Sequence, residues 1–433
     1  MSREIHPLAV GLNADFAVSG NQVLSMLSKK GLHAYFPFQG ILGQSAEAKN
    51  SDINATIGTA FEEDATPLCL ECLESMVQLP STAFLYAPSF GLQTLREIWK
   101  QMMLAKNPSL AGKTFSLPVV THALTHGLSV AGALFVNERD SIVLPDLYWD
   151  NYELVFEEAY GGRLKTFPMF KGGAFHVAAM EKRLMSGGEK KILLLNFPNN
   201  PTGYTATEQD AEAICAAIRR VADAGKKVVV FLDDAYFGLV YEPGVSKQSL
   251  FTRLVDMHEN VLVVKLDGPT KEDYVWGFRT GFITFGFKGA TSAQLKALES
   301  KAAGIVRGSI SSAASISQHL LLKAYTSPDY ADQKQNKFVI LKNRYQCIKK
   351  IFESHPEYAR SFTPMPFNSG YFMCVKPNGV DPETLRKHLL ATRHVGVIVL
   401  SGLIRVAFSS VPSSKLEALF NHLHAAIQEL RQA

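Results

Sequence analysis

Lys271 follows an apolar, strand-like run and stands eight residues before Arg279, in the stretch LDGPTKEDYVWGFRTGF. Gly268 and Pro269 break the run, which would leave the lysine at a strand's carboxyl edge, where open α/β sheets take their ligands. An amine placed there can attack an aldehyde carbon. The Arg279 guanidinium can grip a phosphate through two parallel hydrogen bonds, and Gly277 and Gly281 let backbone come close. Spacing alone is weak, because a surface lysine and a salt-bridged arginine explain Lys-x7-Arg better. Asp233 ends a second apolar run, KVVVFLD. A carboxylate at a buried strand end is costly unless paired, and a protonated ring nitrogen would be such a partner. Asp234 competes for that role; neighbouring strand residues point to opposite faces, so only one of the two faces a common site. Asn196-Phe197-Pro198-Asn199-Asn200-Pro201-Thr202-Gly203 follows a third run, KILLLN. Its prolines and glycine make a stiff turn that would present the Asn200 amide to a ring oxygen.

An aldehyde, a phosphate and a pyridine ring occur together on pyridoxal 5'-phosphate (PLP), and Lys271, Arg279 and Asp233 each offer a hold on one of them. With Tyr236 and Asn200 they resemble the class I/II aminotransferases of PLP fold type I, the aspartate aminotransferase-like family, and nearly the whole chain can be laid on it. The family carries Asn-Pro-x-Asn-Pro-Thr-Gly, then Asp-x-Ala-Tyr, then Ser-x-x-Lys with an arginine eight residues on. Here the same order holds as Asn-Phe-Pro-Asn-Asn-Pro-Thr-Gly, Asp233-Asp234-Ala235-Tyr236 and Gly268-Pro269-Thr270-Lys271 with Arg279. Three ordered matches are far more specific than any one.

The resemblance implies roles for further residues. Tyr86, in Tyr-Ala-Pro-Ser-Phe-Gly-Leu, would reach the phosphate of a neighbouring subunit, and Trp149 would stack on the pyridine ring. Arg405 would take the substrate α-carboxylate, supported by Asn196, while the backbone of Gly58 lines the substrate site. Tyr236 would lie beside the ring's phenolic oxygen. The phosphate cup departs from the family: Thr121-His122-Ala123-Leu124-Thr125-His126-Gly127 stands where glycines and serines are usual, and Gly268 replaces a common serine. Backbone N–H groups of Ala123, Leu124 and Thr125 can still bind phosphate at a helix start, with Thr125 or Thr270 supplying a hydroxyl. His122 and His126, four apart, have no third metal ligand in view and are read as cup lining, so no metal is expected. The implied activity is ping-pong transfer of an amino group between an L-amino acid and a 2-oxo acid, with Lys271 carrying the cofactor as a Schiff base and acting as base. Arg307 falls where the aspartate-specific branch donates an arginine across a homodimer, which would favour acidic substrates. It equally fits a basic residue closing a helix near its negative end, and an aromatic substrate then stays open. C–S lyases and other eliminating relatives use the same lysine, aspartate and arginines. A PLP-sensing regulator would need a DNA-binding segment for which the residues before Asn54 are too few and not basic.

The elements that must position these residues are legible from periodicity. Apolar runs at 115–121, 141–145, 191–196, 227–233, 260–266 and 280–286 alternate with helical stretches such as 206–224 and 290–306. Buried runs separated by helices predict an α/β domain around a mostly parallel sheet. Beyond residue 312 come a long helix near 330–353, a strand at 369–375, a helix at 382–393, strands at 395–400 and 404–409, and a helix from about 413. This reads as a smaller α+β domain, giving an expected division into 1–64 (arm and part of the small domain), 65–315 (large domain) and 316–433 (small domain).

Composition bounds the rest. Of 433 residues, 47% are hydrophobic and 19% charged, a globular balance. A net charge of +4 gives no reason to expect nucleic acid or membrane partners, and no run is long enough to span a bilayer. Five scattered cysteines suit a reducing compartment. The Cys69–Cys72 pair, in what looks like a helix, is read as two half-buried thiols. With no secretory signal apparent, the cytoplasm is the expected location.

Overall fold

The computed structural model describes residues 5–18, 27, 32–33, 40–74 and 78–432; part of the expectation for the first 60 residues therefore lies outside the described residues. Seven strands form the larger sheet: β1 Val119–His122, β2 Ser141–Pro145, β3 Arg163–Phe167, β4 Lys190–Asn196, β5 Lys227–Asp233, β6 Val261–Asp267 and β7 Thr280–Phe287. Their order is β1-β7-β6-β5-β4-β2-β3. Only β7 runs antiparallel to its neighbours, so the sheet is mostly parallel as expected.

Both faces of the sheet are covered, which is why its strands read as unbroken apolar runs. Side chains alternate between two core clusters: Ile192 and Leu194 enter one, Leu193 and Leu195 the other. Helices α1 Gln93–Lys106 and α3 Glu208–Asp223 contribute to the second cluster, α2 Ala123–Phe135 and α4 Ser292–Ile310 chiefly to the first. Capping boxes at Thr207/Asp210 and Thr291/Gln294 start α3 and α4 by satisfying backbone N–H groups that have no helical partner.

Two differences from the sequence reading have simple causes. The first strand starts at Val119 rather than residue 115, directly after Pro118, which has no N–H for a ladder. Strand β3 was not foreseen because it is an edge strand, with alternating polar positions and only Leu164 and Phe167 as large apolar residues. Among the described residues of the Cys69 region the helix covers Glu71–Glu74 and leaves Cys69 outside it, and no disulfide joins any of the five cysteines.

Further on, α5 Ser315–Tyr325 and the 25-residue α6 Tyr330–Ser354 lead to a four-stranded antiparallel sheet. Its strands are β8 Phe362–Pro364, β9 Phe372–Pro377, β10 Ile398–Leu400 and β11 Leu403–Ala407, in the order β8-β9-β11-β10. Helices α7 Pro382–Arg393 and α8 Ser413–Gln432 pack with it. Ile53–Asn54 pairs in parallel with Val395–Gly396, and the Ala407 N–H donates to the Ala55 carbonyl at 2.8 Å. The chain around Gly58 is thereby laid against this smaller sheet.

Candidate active site

Three strand ends converge. Asn196 closes β4 and Asp233 closes β5, directly opposite one another in the ladder. β6 ends at Asp267, and the single helical turn Pro269–Glu272 that follows carries Lys271. From the smaller sheet, Arg405 on β11 faces the same space. The result is a cleft of about 240 Å³ lined by Gly58, Ala123, Leu124, Thr125, Trp149, Asn196, Asn200, Asp233, Tyr236, Thr270, Lys271, Arg279 and Arg405, all expected from the sequence.

Asp233 is nearly sealed from solvent. One carboxylate oxygen accepts from the Tyr152 hydroxyl at 2.6 Å and the other from the Ala235 N–H at 3.2 Å. Burial raises its pKa above the usual carboxylate range, with the Tyr152 hydrogen bond and the Lys271 ammonium only partly opposing it. Asp234 points to the opposite face, as strand alternation requires, where the buried Lys265 ammonium (2.9 Å) and the Ser249 hydroxyl (2.6 Å) hold it. That separates the two candidates: Asp233 lines the cleft and Asp234 does not.

The Lys271 amine lies 5.1 Å from the centroid of the Tyr236 ring. Burial lowers its pKa to about 8, with Asp233 opposing that shift and Arg279 adding to it. A neutral, nucleophilic amine is thus accessible near neutral pH. The Tyr371 hydroxyl donates to the Lys271 carbonyl at 2.9 Å and anchors the backbone.

Arg405 is 2% exposed and carries its charge over the Phe372 ring at 4.4 Å. Its Nη1 donates to Asn200 Oδ1 at 2.9 Å and its Nη2 to the Thr56 carbonyl at 3.0 Å. Its buried Nε has no hydrogen-bond partner. A buried donor left unmade costs free energy, so this guanidinium is set to receive an anion. Asn196 is held by two hydrogen bonds of its own. It lines the cleft, and its amide donates to the Asp233 carbonyl and its Oδ1 accepts from the Asn200 N–H, both at 2.8 Å. It braces the two residues that flank it in space.

At the other end, Ala123 opens α2 with φ +60, and Arg279 closes the turn Trp276–Phe278 with φ +51. The first N–H groups of α2 have no carbonyl one turn earlier to bond. Strand β7 passes so near that a Cβ on Gly281 would lie 2.6 Å from the Ala123 carbonyl carbon. A Cβ on Gly268 would lie 3.1 Å from Leu124 Cδ1. Gly281 Cα and the Thr280 carbonyl oxygen would each lie 3.0 Å from that Cβ, so backbone as well as the Leu124 side chain leaves little room for a side chain at 268. His126 accepts the His122 N–H at 3.1 Å and reaches Ser309 Oγ at 2.9 Å, tying the cup to α4.

Three expected residues are not among those lining the cleft. Gly268 lies behind Leu124. Tyr86 is 95% exposed, and Arg307 is exposed near the end of α4, where it donates to Ser311 Oγ at 3.4 Å. Conversely, Ile41, Tyr152, Ala235 and Phe372 line the cleft unforeseen. Tyr152 meets Asp233 from 81 positions away, a pairing that no local spacing announces. Its one signal was that a buried Asp233 needed a donor.

A family model for class I and II aminotransferases matches residues 60–423. Curated relatives are distant. The aspartate aminotransferase of Bacillus subtilis (strain 168) is 24% identical over 294 residues, 68% of this chain and 66% of that one. A probable N-acetyl-LL-diaminopimelate aminotransferase from the same strain is 24% identical over 245 residues, 56% of each. The chain thus spans about half to two thirds of the length of these curated relatives. The fold is shared more fully: an aminotransferase structure from Anaerococcus prevotii superposes with a TM-score of 0.80 at 21% identity, over 92% of this chain and 98% of that one. With a family match of that extent carried on that fold, the chain belongs to the class I and II aminotransferases.

Proposed function

We propose that this chain is a PLP-dependent aminotransferase moving an amino group between an L-amino acid, acidic or aromatic, and a 2-oxo acid by a ping-pong route. The carrying observation is that one cleft gathers a buried amine with lowered pKa, a buried carboxylate, and an arginine at each end. The donor set fits PLP. The α2 N-terminus, Arg279 and the Thr125 and Thr270 hydroxyls would hold the phosphate, Asp233 the ring nitrogen, Asn200 and Tyr236 the ring oxygen, and Trp149 a ring face. Bound there, PLP supplies the aldehyde for Lys271 and a protonated ring that withdraws electrons from the substrate.

The protein's own work is then holding and proton movement. The unpartnered Nε of Arg405 and its neighbouring N–H groups bind the α-carboxylate. Asp233, whose carboxylate accepts from the Tyr152 hydroxyl, would hold the ring-nitrogen proton. With its amine free, Lys271 Nζ would stand as the base that takes the substrate α-proton and gives it back.

We further propose a homodimer in the cytoplasm. Phe84, Leu85 and Tyr86 are 79%, 66% and 95% exposed in a row, an apolar patch of the kind that partner surfaces cover. Ser89 Oγ donates to the Ser311 carbonyl at 2.8 Å, which places this patch beside the end of α4 that bears Arg307. A second copy would so receive both Tyr86 and Arg307. Among the described residues no helix is long and apolar enough to cross a membrane.

The test is a half-reaction screen. Purified protein loaded with PLP is mixed with acidic, aromatic and aliphatic L-amino acids, and pyridoxamine phosphate and the 2-oxo acid are measured. Ammonia and pyruvate released from a cysteine conjugate instead would assign an eliminating enzyme. Arg307→Ala that leaves acidic substrates unaffected would remove the acidic preference, and a monomer by sedimentation would remove the dimer.

A further inference from the structure

The two residues after Lys271 are acidic and buried: Glu272 is 3% exposed and Asp273 1%. Both carboxylates lie outside the cleft. Glu272 accepts from Lys106 of α1 at 2.8 and 3.0 Å and from Lys334 of α6 at 2.9 Å. Asp273 accepts from Lys334 at 2.8 Å, from the Tyr330 hydroxyl at 2.7 Å and from the Tyr325 hydroxyl of α5 at 2.9 Å. Two carboxylates thus meet two ammoniums and two phenols drawn from three helices, and the charges cancel.

Such a cluster is a poor route to stability. Taking four charges out of water costs about as much as their attraction returns, and well-packed apolar residues would serve as well or better. What a fully satisfied polar network provides is a single geometry. Here that geometry is imposed on the residues next to Lys271, which sits in one isolated helical turn, too short to hold itself. From the opposite side, the Tyr371 hydroxyl holds the Lys271 carbonyl.

We propose that Glu272 and Asp273, with Lys106, Lys334, Tyr325 and Tyr330, form a positioning cluster that fixes the Lys271 peptide unit, so that the amine alone moves between its cofactor-bound and free positions. The inference rests on Lys271 being the cofactor lysine. Burial by itself would raise the pKa of Glu272, but the Lys106 and Lys334 ammoniums outweigh it and hold it at about 2, so the carboxylate stays charged throughout the working range. Lys334 is pushed upward by Asp273 and Glu272 against its burial. The cluster is therefore permanent rather than a switch.

The experiment separates the position of Lys271 from the integrity of the pocket. Apoprotein is mixed with PLP, and the rate of covalent capture is followed by absorbance. In parallel the affinity for pyridoxine 5'-phosphate, which has no aldehyde, is measured by fluorescence. In Lys334→Met, and in Tyr325→Phe/Tyr330→Phe should the charge variant not fold, capture slows by about tenfold while pyridoxine phosphate affinity changes by less than about twofold. Lys334→Arg restores the rate. Lys334→Met/Glu272→Gln, which removes one charge of each sign, recovers part of the melting temperature lost by the single variant. Capture at the wild-type rate in variants of lowered melting temperature would make the cluster structural and overturn the proposal; so would a parallel loss of pyridoxine phosphate affinity. Failure of the wild-type protein to capture PLP would instead overturn the functional reading on which it rests.

Discussion

The cleft is held differently at its two ends. Around Asp233 and Arg405 the hold is made by side chains: Tyr152 on Asp233, Asn196 bridging to Asn200, and Asn200 on Arg405. Around the proposed phosphate cup it is made by backbone and shape: the first turn of α2, Ala123 and Arg279 at positive φ, Gly281 pressed against Ala123, and Leu124 in contact range of Gly268. A side-chain network depends on particular chemical groups. A backbone cup depends chiefly on where the chain runs, so it tolerates different residue types. Substitutions at the first end are therefore expected to remove chemistry, and those at the second to alter fit.

The largest effect belongs to the first end. Asp233→Asn keeps the shape of the side chain but removes the charge proposed to hold the ring proton, and kcat is expected to fall by roughly 10³-fold. Retained cofactor absorbance would show that the site is still loaded. Arg405→Gln removes a buried guanidinium from the carboxylate end, and KM for the amino acid is expected to rise on the order of 10²-fold while cofactor retention stays normal. A KM change below about threefold would mean that the α-carboxylate is bound elsewhere.

The second end tests the claim of fit. Gly268→Ser restores the hydroxyl usual in the family, yet its Cβ meets Leu124 Cδ1 at 3.1 Å and the Thr280 carbonyl at 3.0 Å. Cofactor dissociation is expected to quicken by about tenfold rather than slow. Gly268→Ser/Leu124→Ala removes the Leu124 contact but leaves the Thr280 carbonyl and Gly281 Cα at 3.0 Å, so only part of the lost binding is expected to return. If the single variant binds PLP more tightly than the parent, position 268 is not crowded as described.

The same contrast explains what the sequence could disclose. Strand β5 and its terminal Asp233 were legible because an apolar run ending in a carboxylate is physically odd. Strand alternation then implied that only one of Asp233 and Asp234 would face the cleft, and the Lys265 and Ser249 partners of Asp234 show which one. The covered strands β4 to β7 were legible for a similar reason, since burial on both faces leaves an apolar signature; the edge strand β3 left none. Tyr152 and Ile41 were illegible because their relation to the site is spatial, made by chain segments far apart. The crowding around Gly268 was seen only as a departure from pattern. Its reason is a distance, and sequence carries no distances. Glu272 and Asp273 passed unremarked because acidic residues after a loop lysine look solvated until three helices are packed over them.

The finest test of the side-chain end is electrostatic. The Lys271 pKa is lowered to about 8 by burial, with Asp233 raising it and Arg279 lowering it further. Only the neutral amine attacks an aldehyde, so covalent capture of PLP by apoprotein is expected to quicken with rising pH and level off above an inflection near 8. Asp233→Asn removes the charge that favours the ammonium, so the inflection moves down. Arg279→Gln removes the charge that disfavours it, so the inflection moves up. Tyr152→Phe leaves every formal charge in place but takes a hydrogen bond from Asp233, letting burial raise that carboxyl. A protonated Asp233 favours the Lys271 ammonium less, so this inflection also moves down, by less than in Asp233→Asn. If Asp233→Asn and Arg279→Gln move it the same way, the lysine is answering to altered packing, and the two ends of the cleft do not act on it through charge.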